Sequence, residues 1–243
     1  MAADAVRIGK RLPYIHALVE LDVTKARIVL KNHRQIAGKR ISLTAYLMLC
    51  CADAIAEDLK IQRMLDWRSR FIEFSDIDFF MPLENQASES KQLVMRLFRS
   101  VNKKDIGEID KILTRSVNGV APTLGMAQRM FMKLPWLVRG PVYRFWMQLP
   151  SMRKKYFGTV YFSSIMNYSA DRTTWGVPIP MHSLGIFIGT VSSKLFQTRA
   201  GIEKRDMLQI TISVDHRVNN GGDMARFVHR LKYILEKGNL FED

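Results

Sequence analysis

From Tyr14 to Val23 the apolar residues Ile15, Leu18, Leu21 and Val23 alternate loosely, which predicts a strand, and the closing LDVT leads into a helix through Lys31. Ser42 stands before Leu43, Tyr46, Leu47, Cys50 and Ala54 at helical spacing, the pattern of a capped amphipathic helix running to about Asp58. Residues 70–82 and 92–99 read as strands, and Ile106, Ile109, Ile112 and Leu113 then share one face of a helix. After Gly158, TVYFSSI and SLGIFIGTV read as two further strands. The clearest alternation follows, with Leu208, Ile210, Ile212 and Val214 set between Gln209, Thr211, Ser213 and Asp215. That parity places His216 on the apolar side. Met224, Phe227, Val228, Leu231, Ile234 and Leu235 predict a closing helix that Gly238 stops.

Between Gly119 and Pro150 the pattern breaks into short Met-rich and aromatic pieces punctuated by Pro122, Pro135, Pro141 and Pro150. No linker divides the chain, so a single domain over 1–243 is expected, with an insert at about 119–156 that is a lid, a membrane-facing element, a partner surface or a packed extension. The formal charge of +14 is concentrated near this insert, because no Asp or Glu occurs from Lys111 to Ala170. Lys133, Arg139, Arg144, Arg153, Lys154 and Lys155 alternate there with Trp136, Tyr143, Phe145, Trp146 and Tyr156. Such a surface attracts an anionic membrane, a phosphorylated cofactor or an acidic carrier protein. Nucleic acid is not favoured, since no nucleic-acid motif accompanies the charge. Cys50 and Cys51 are adjacent in an apolar run, a poor geometry for a disulfide and no metal-ligand set, so core thiols and no metal site are expected. The start lacks a continuous apolar export segment and no membrane span is signalled, which makes the cytoplasm the default.

A histidine at the end of a period-2 strand, on its inward parity, is expected in a partly desolvated position where the neutral imidazole can accept a proton. Arg217, Val218, Asn219, Asn220, Gly221 and Gly222 supply a tight polar exit. From these residues alone, a structural histidine and a catalytic base remain equally open.

The segment VDHRVNNGGDMARFVHRLKYIL resembles the C-terminal signature D-H-R-x-x-D-G of the dihydrolipoyl acyltransferases of 2-oxoacid dehydrogenase complexes, with Asp215, His216, Arg217 and Gly221 in place. In its reduced form H-x-x-x-D-G it is also similar to that of chloramphenicol acetyltransferase. PYIHALVELDVTKA, ISLTAYLMLCCADAI, QLVMRLFRSVNKKDIGEI and GTVYFSSI resemble further family segments in the same order, over roughly residues 13–237. The resemblance implies an α/β, chloramphenicol acetyltransferase-like fold: a two-layer sandwich with a large mixed β-sheet. It implies His216 as general base, Ser163 as donor to the oxyanion, and Asn220 at the motif's Asp position; Ser164 would point to the other face of its strand. It further implies coenzyme A or acyl-coenzyme A as substrate, a homotrimer with active sites between subunits, and an acidic acyl carrier or lipoyl protein as alternative donor.

Three positions depart from the family pattern. Asn220 replaces the motif's Asp, Arg96 stands where proline is usual, and the 119–156 segment is longer, more basic and more aromatic. No lipoyl domain is recognisable in the sequence, so a stand-alone member without a covalently attached lipoyl group is expected. The alternative is a non-catalytic trimeric scaffold that binds an anionic membrane or a partner.

Overall fold

The computed structural model describes residues 6–7, 9–38, 40–84, 93–118, 130–131, 133–166, 173–199 and 201–237. Strand β1 (Tyr14–Asp22) is followed by helices α1 (Thr24–Ala37) and α2 (Leu43–Ala56). A small hairpin, β2 (Met64–Leu65) with β3 (Phe71–Ile72), precedes β4 (Phe79–Glu84), β5 (Leu93–Phe98) and α3 (Ile106–Asn118). Helices α4 (Trp136–Gln148) and α5 (Pro150–Phe157) lead to β6 (Val160–Ser164), β7 (Leu184–Thr198), β8 (Gly201–Asp215) and α6 (Gly221–Lys237).

Six strands form one mixed sheet in the order β1-β8-β7-β6-β4-β5. β6 runs parallel to both β4 and β7, while the remaining pairs are antiparallel. The main core lies between one sheet face and the helices. Leu208, Ile210, Ile212 and Val214 of β8 meet Tyr46, Leu47 and Cys50 of α2 and Phe227 and Leu231 of α6 there. Cys50 and Cys51 are buried free thiols within α2. Ser42 caps that helix by accepting a hydrogen bond from the Ala45 N–H at 3.2 Å, as its sequence position predicts.

The stretch 70–82 is not one strand. Phe71 and Ile72 pair with Met64 and Leu65 in the separate hairpin, and only from Phe79 does the chain join the large sheet. The polar residues between them have other partners: the Asp78 carboxylate receives Arg99 at 2.8 Å and the Ser100 N–H at 2.8 Å. These bonds turn the backbone between the two sheets.

The second sheet face is also covered. Phe80, Tyr143, Met147, Phe157 and Met181 form a smaller core, so the α4–α5 hairpin lies over β4, β5 and β6 opposite the main helical layer. The described part of the 119–156 insert is thus a packed helical hairpin; residues 119–129 and 132 lie outside the described residues. Residues 173–182 cross the same face near β7, where a Cβ at Gly176 would collide with the Phe187 ring. Each strand of the centre is therefore buried on both sides.

Candidate active site

Along β8 the residues from Met207 to Asp215 are all buried, the polar alternates included. Three of these polar side chains find a partner on the second face. Gln209 donates to Glu20 and Ser192, the Ser213 hydroxyl lies 2.8 Å from His16 Nδ1, and Arg217 donates to both Asp215 oxygens from Nε and Nη2. Alternation on this strand separates an apolar core from a buried polar layer rather than inside from outside.

This changes the placement of His216. The strand ends at Asp215, whose carbonyl accepts the N–H groups of Val218 and Asn219, so the backbone turns immediately and the strand's parity no longer applies. The His216 ring stands exposed on the single chain instead of on the apolar side. Its backbone N–H donates to the Pro13 carbonyl at 2.8 Å, which ties the turn to the start of β1.

Nδ1 of His216 lies 3.2 Å from the Asn219 carbonyl oxygen. A carbonyl can only accept, so this contact selects the tautomer with the proton on Nδ1 and leaves the Nε2 lone pair facing outward. Asn219 is itself held: its side-chain NH2 donates to the Ile61 carbonyl at 2.9 Å in a buried position. Arg63 holds the residue before it, donating from Nε to the Val218 carbonyl at 2.9 Å and from its Nη2 as well. The sequence marks Asn219 only as part of the polar turn, and Arg63 not at all, because the contacts that fix them join segments far apart in the chain.

Asn220 begins α6. Its side-chain oxygen accepts from the Asp223 N–H and the Asp223 carboxylate accepts from the Asn220 N–H, both at 2.9 Å, a reciprocal capping box. The carboxylate is held below its usual range, first by that backbone N–H and then by Arg226. Asn220 thus fixes the exit of the His216 turn.

Beneath the turn lies a buried polar group that crosses from β1 to α5. The Tyr14 hydroxyl sits 2.7 Å from the carbonyl oxygens of Pro180 and His182. His182 is fully buried with Nε2 2.7 Å from the Phe157 carbonyl, and burial, reinforced by the Arg153 charge, lowers its pKa to about 3. Arg153 of α5 reaches in from the hairpin to Ser183 Oγ at 3.2 Å, and burial lowers its pKa to about 10 despite the nearby Asp215 charge.

Ser163 is buried in β6, on the face that carries Tyr161 and Phe80. Burial raises the Tyr161 phenol pKa, with a hydrogen bond from its neighbour Ser163 acting in the opposite sense. Ser164 has the opposite parity, and its hydroxyl accepts from the Met166 N–H at 3.3 Å. Ser163 lines a cavity of about 1850 Å³. Its walls include Phe80, Met81, Met95, Tyr161, Met166 and Met181, and the cations Arg27, Lys31, Arg34 and Arg40 line it beside Glu84 and Asp110.

Within one chain His216 and Ser163 do not meet. Ser163 is level with Phe187 and Thr211, so His216 is five residues further along, roughly 17 Å at the usual rise per residue, and two strands away. Arg96, which departs from the family pattern, lies in β5 opposite Met81.

Residues 161–241 match the family of 2-oxoacid dehydrogenases acyltransferase catalytic domains. The segment from β6 to α6, with both Ser163 and His216, therefore carries the signature of an acyltransferase catalytic domain. The fold agrees over the whole chain. A probable dihydrolipoamide acetyltransferase from Listeria monocytogenes superposes with a TM-score of 0.71 at 16% identity, covering 100% of this chain and 92% of that one. A dihydrolipoamide acetyltransferase from Azotobacter vinelandii, studied for the catalytic roles of a serine, a histidine and an asparagine, gives 0.71 at 16% identity over 98% and 87% of the two chains. Chloramphenicol acetyltransferase gives 0.56 at 14% identity over 96% and 94%. At these identities the structural likeness speaks for the fold alone, which is the chloramphenicol acetyltransferase-like mixed α/β sandwich. Comparison with curated protein sequences gives no match.

Proposed function

We propose that the chain is an acyltransferase moving an acyl group from a thioester donor to a small thiol, hydroxyl or amine, with His216 as general base and Ser163 as oxyanion donor. The observation that carries the reading is the Asn219 carbonyl 3.2 Å from His216 Nδ1, which leaves Nε2 as the only basic nitrogen of an accessible ring. Nε2 takes the acceptor's proton as the acceptor attacks the thioester carbonyl. The tetrahedral oxyanion accepts a hydrogen bond from Ser163 Oγ. Its collapse breaks the carbon–sulfur bond, and the departing thiolate takes the proton back from the imidazolium. General-base help of this kind supplies about two to four orders of magnitude.

Two features support a site shared between protomers: the separation of His216 from Ser163 within one chain, and the likeness in fold to the cubic core of the pyruvate dehydrogenase multienzyme complex. In a trimer, His216 of one protomer would face Ser163 of the next. The Azotobacter enzyme's histidine and asparagine are four residues apart, as are His216 and Asn220, which supports placing Asn220 within the site. Acyl-coenzyme A, acting as substrate, is the donor that best suits a cavity lined by more cations than carboxylates; an acylated carrier or another protein's lipoyl arm suits the same sign of charge.

The test is free-thiol release from acetyl- and longer acyl-coenzyme A, with and without dihydrolipoamide. Wild-type transfer that disappears in His216→Ala is expected. No transfer to any acceptor, or equal transfer by His216→Ala, would overturn the assignment.

A further inference from the structure

Helix α4 is apolar on two sides, and only one of them is packed. Its inner side, with Tyr143 and Met147, completes the small core on Phe80, Phe157 and Met181. Its outer side leaves Leu137 87%, Val138 54% and Phe145 55% exposed. Met130 and Leu134 before the helix and Met152 and Tyr156 of α5 are exposed as well. Exposed large apolar side chains clustered on one helix mark an interaction surface.

The charge around it restricts the occupant. Lys133, Arg144 and Lys155 are exposed on the hairpin, and no acidic residue occurs from Lys111 to Ala170. Carboxylates that reach the hairpin or its neighbours are already engaged: Asp76 by Lys103 and Lys154, and Asp78 by Arg99. A second copy seated face to face here would set Lys133, Arg144 and Lys155 of two hairpins against each other. An apolar stripe flanked by cations and aromatic rings instead suits the boundary between headgroups and acyl chains of an anionic bilayer. At 13 residues α4 is about 20 Å long, against a hydrocarbon core of about 30 Å, so the geometry is that of a helix lying in the interface.

We infer that the outer face of α4 docks this protein on anionic phospholipid membranes, with Leu137, Val138 and Phe145 entering the acyl boundary and Lys133, Arg144 and Lys155 meeting the headgroups. Phe80, Tyr161, Met95 and Met181 belong both to the core under the hairpin and to the wall of the Ser163 cavity. Docking therefore sets that cavity beside the bilayer, whether or not the chain transfers acyl groups.

The experiment is co-sedimentation of the full chain with phosphatidylcholine vesicles, with and without phosphatidylglycerol. Binding that requires phosphatidylglycerol and weakens with added salt is expected. Leu137→Asp with Phe145→Asp should lower the vesicle-bound fraction by about tenfold or more, since both the apolar insertion and the charge match are spoiled. Leu195→Asp, at a residue 73% exposed on the β7–β8 ribbon, should bind as wild type. Both apolar targets on α4 point to solvent, so unchanged thermal unfolding is expected and verifies that the variants are folded. Equal binding to phosphatidylcholine alone, or undiminished binding by the double variant, overturns the inference. So does a drop in solution mass on making the double variant, which would assign the face to a second copy of the chain.

Discussion

The Nδ1 atom of His216 rests 3.2 Å from the carbonyl oxygen of Asn219, and the Asn219 side chain is itself anchored to the Ile61 carbonyl across the fold. The orientation of an exposed ring is thereby set by a buried amide. Asn219→Ala removes a buried donor and strands the Ile61 oxygen, so unfolding experiments should show a loss of about 1–3 kcal/mol. The kinetic signature should be a lower kcat with little change in KM, because the ring loses its orientation while the cavity is untouched.

Asn220 acts one residue later and by a different route. Asn220→Ala removes the side-chain acceptor of the α6 capping box, and thermal unfolding should report a loss of about 0.5–2 kcal/mol. Asn220→Asp, which can still cap, should restore most of it. Recovery of stability by Asp without recovery of kcat would separate a chemical role of the amide from its capping role.

The distance between Ser163 and His216 along the strands predicts complementation between chains. Ser163→Ala and His216→Ala should each be nearly inactive alone. Co-expressed and randomly assembled, about a quarter of the interfaces would join an intact histidine to an intact serine, and activity should return to about that fraction of wild type. Absence of any recovery in verified mixed oligomers would place the whole site within one chain.

His182 makes the fold sensitive to acid. Its folded pKa lies at about 3, below the ordinary 6.5, so as pH falls through 6.5 the unfolded chain binds a proton that the folded chain refuses. Stability from this group is complete above 6.5 and declines toward 3, by up to about 1.4 kcal/mol per pH unit. His182→Gln removes the titration, so the slope of unfolding free energy against pH between about 6 and 4 should fall by close to one proton. An unchanged slope would show that His182 does not carry the effect.

Much of the framework was legible in the order of residues. β1, α2, β5, α3, β6, β8 and α6 all lie where the hydrophobic spacing predicts them, because a helix or strand with one buried face must repeat apolar residues at its own period. The reading failed where that premise failed. Parity along β8 could not locate His216, because the chain turns at Asp215, whose carbonyl accepts the N–H groups of Val218 and Asn219. Residues 70–82 looked like one strand because their apolar residues serve two different sheets.

By itself the sequence determined most of the elements and the basic aromatic character of the hairpin, both properties of near neighbours in the chain, while its resemblance to a known family supplied the candidate pair Ser163 and His216. Tertiary structure alone decided which nitrogen of His216 is free, how far it stands from Ser163, and which side of α4 faces water. Those depend on partners such as Ile61 for Asn219 and Arg63 for Val218, which only the closure of the sheet brings within hydrogen-bond reach.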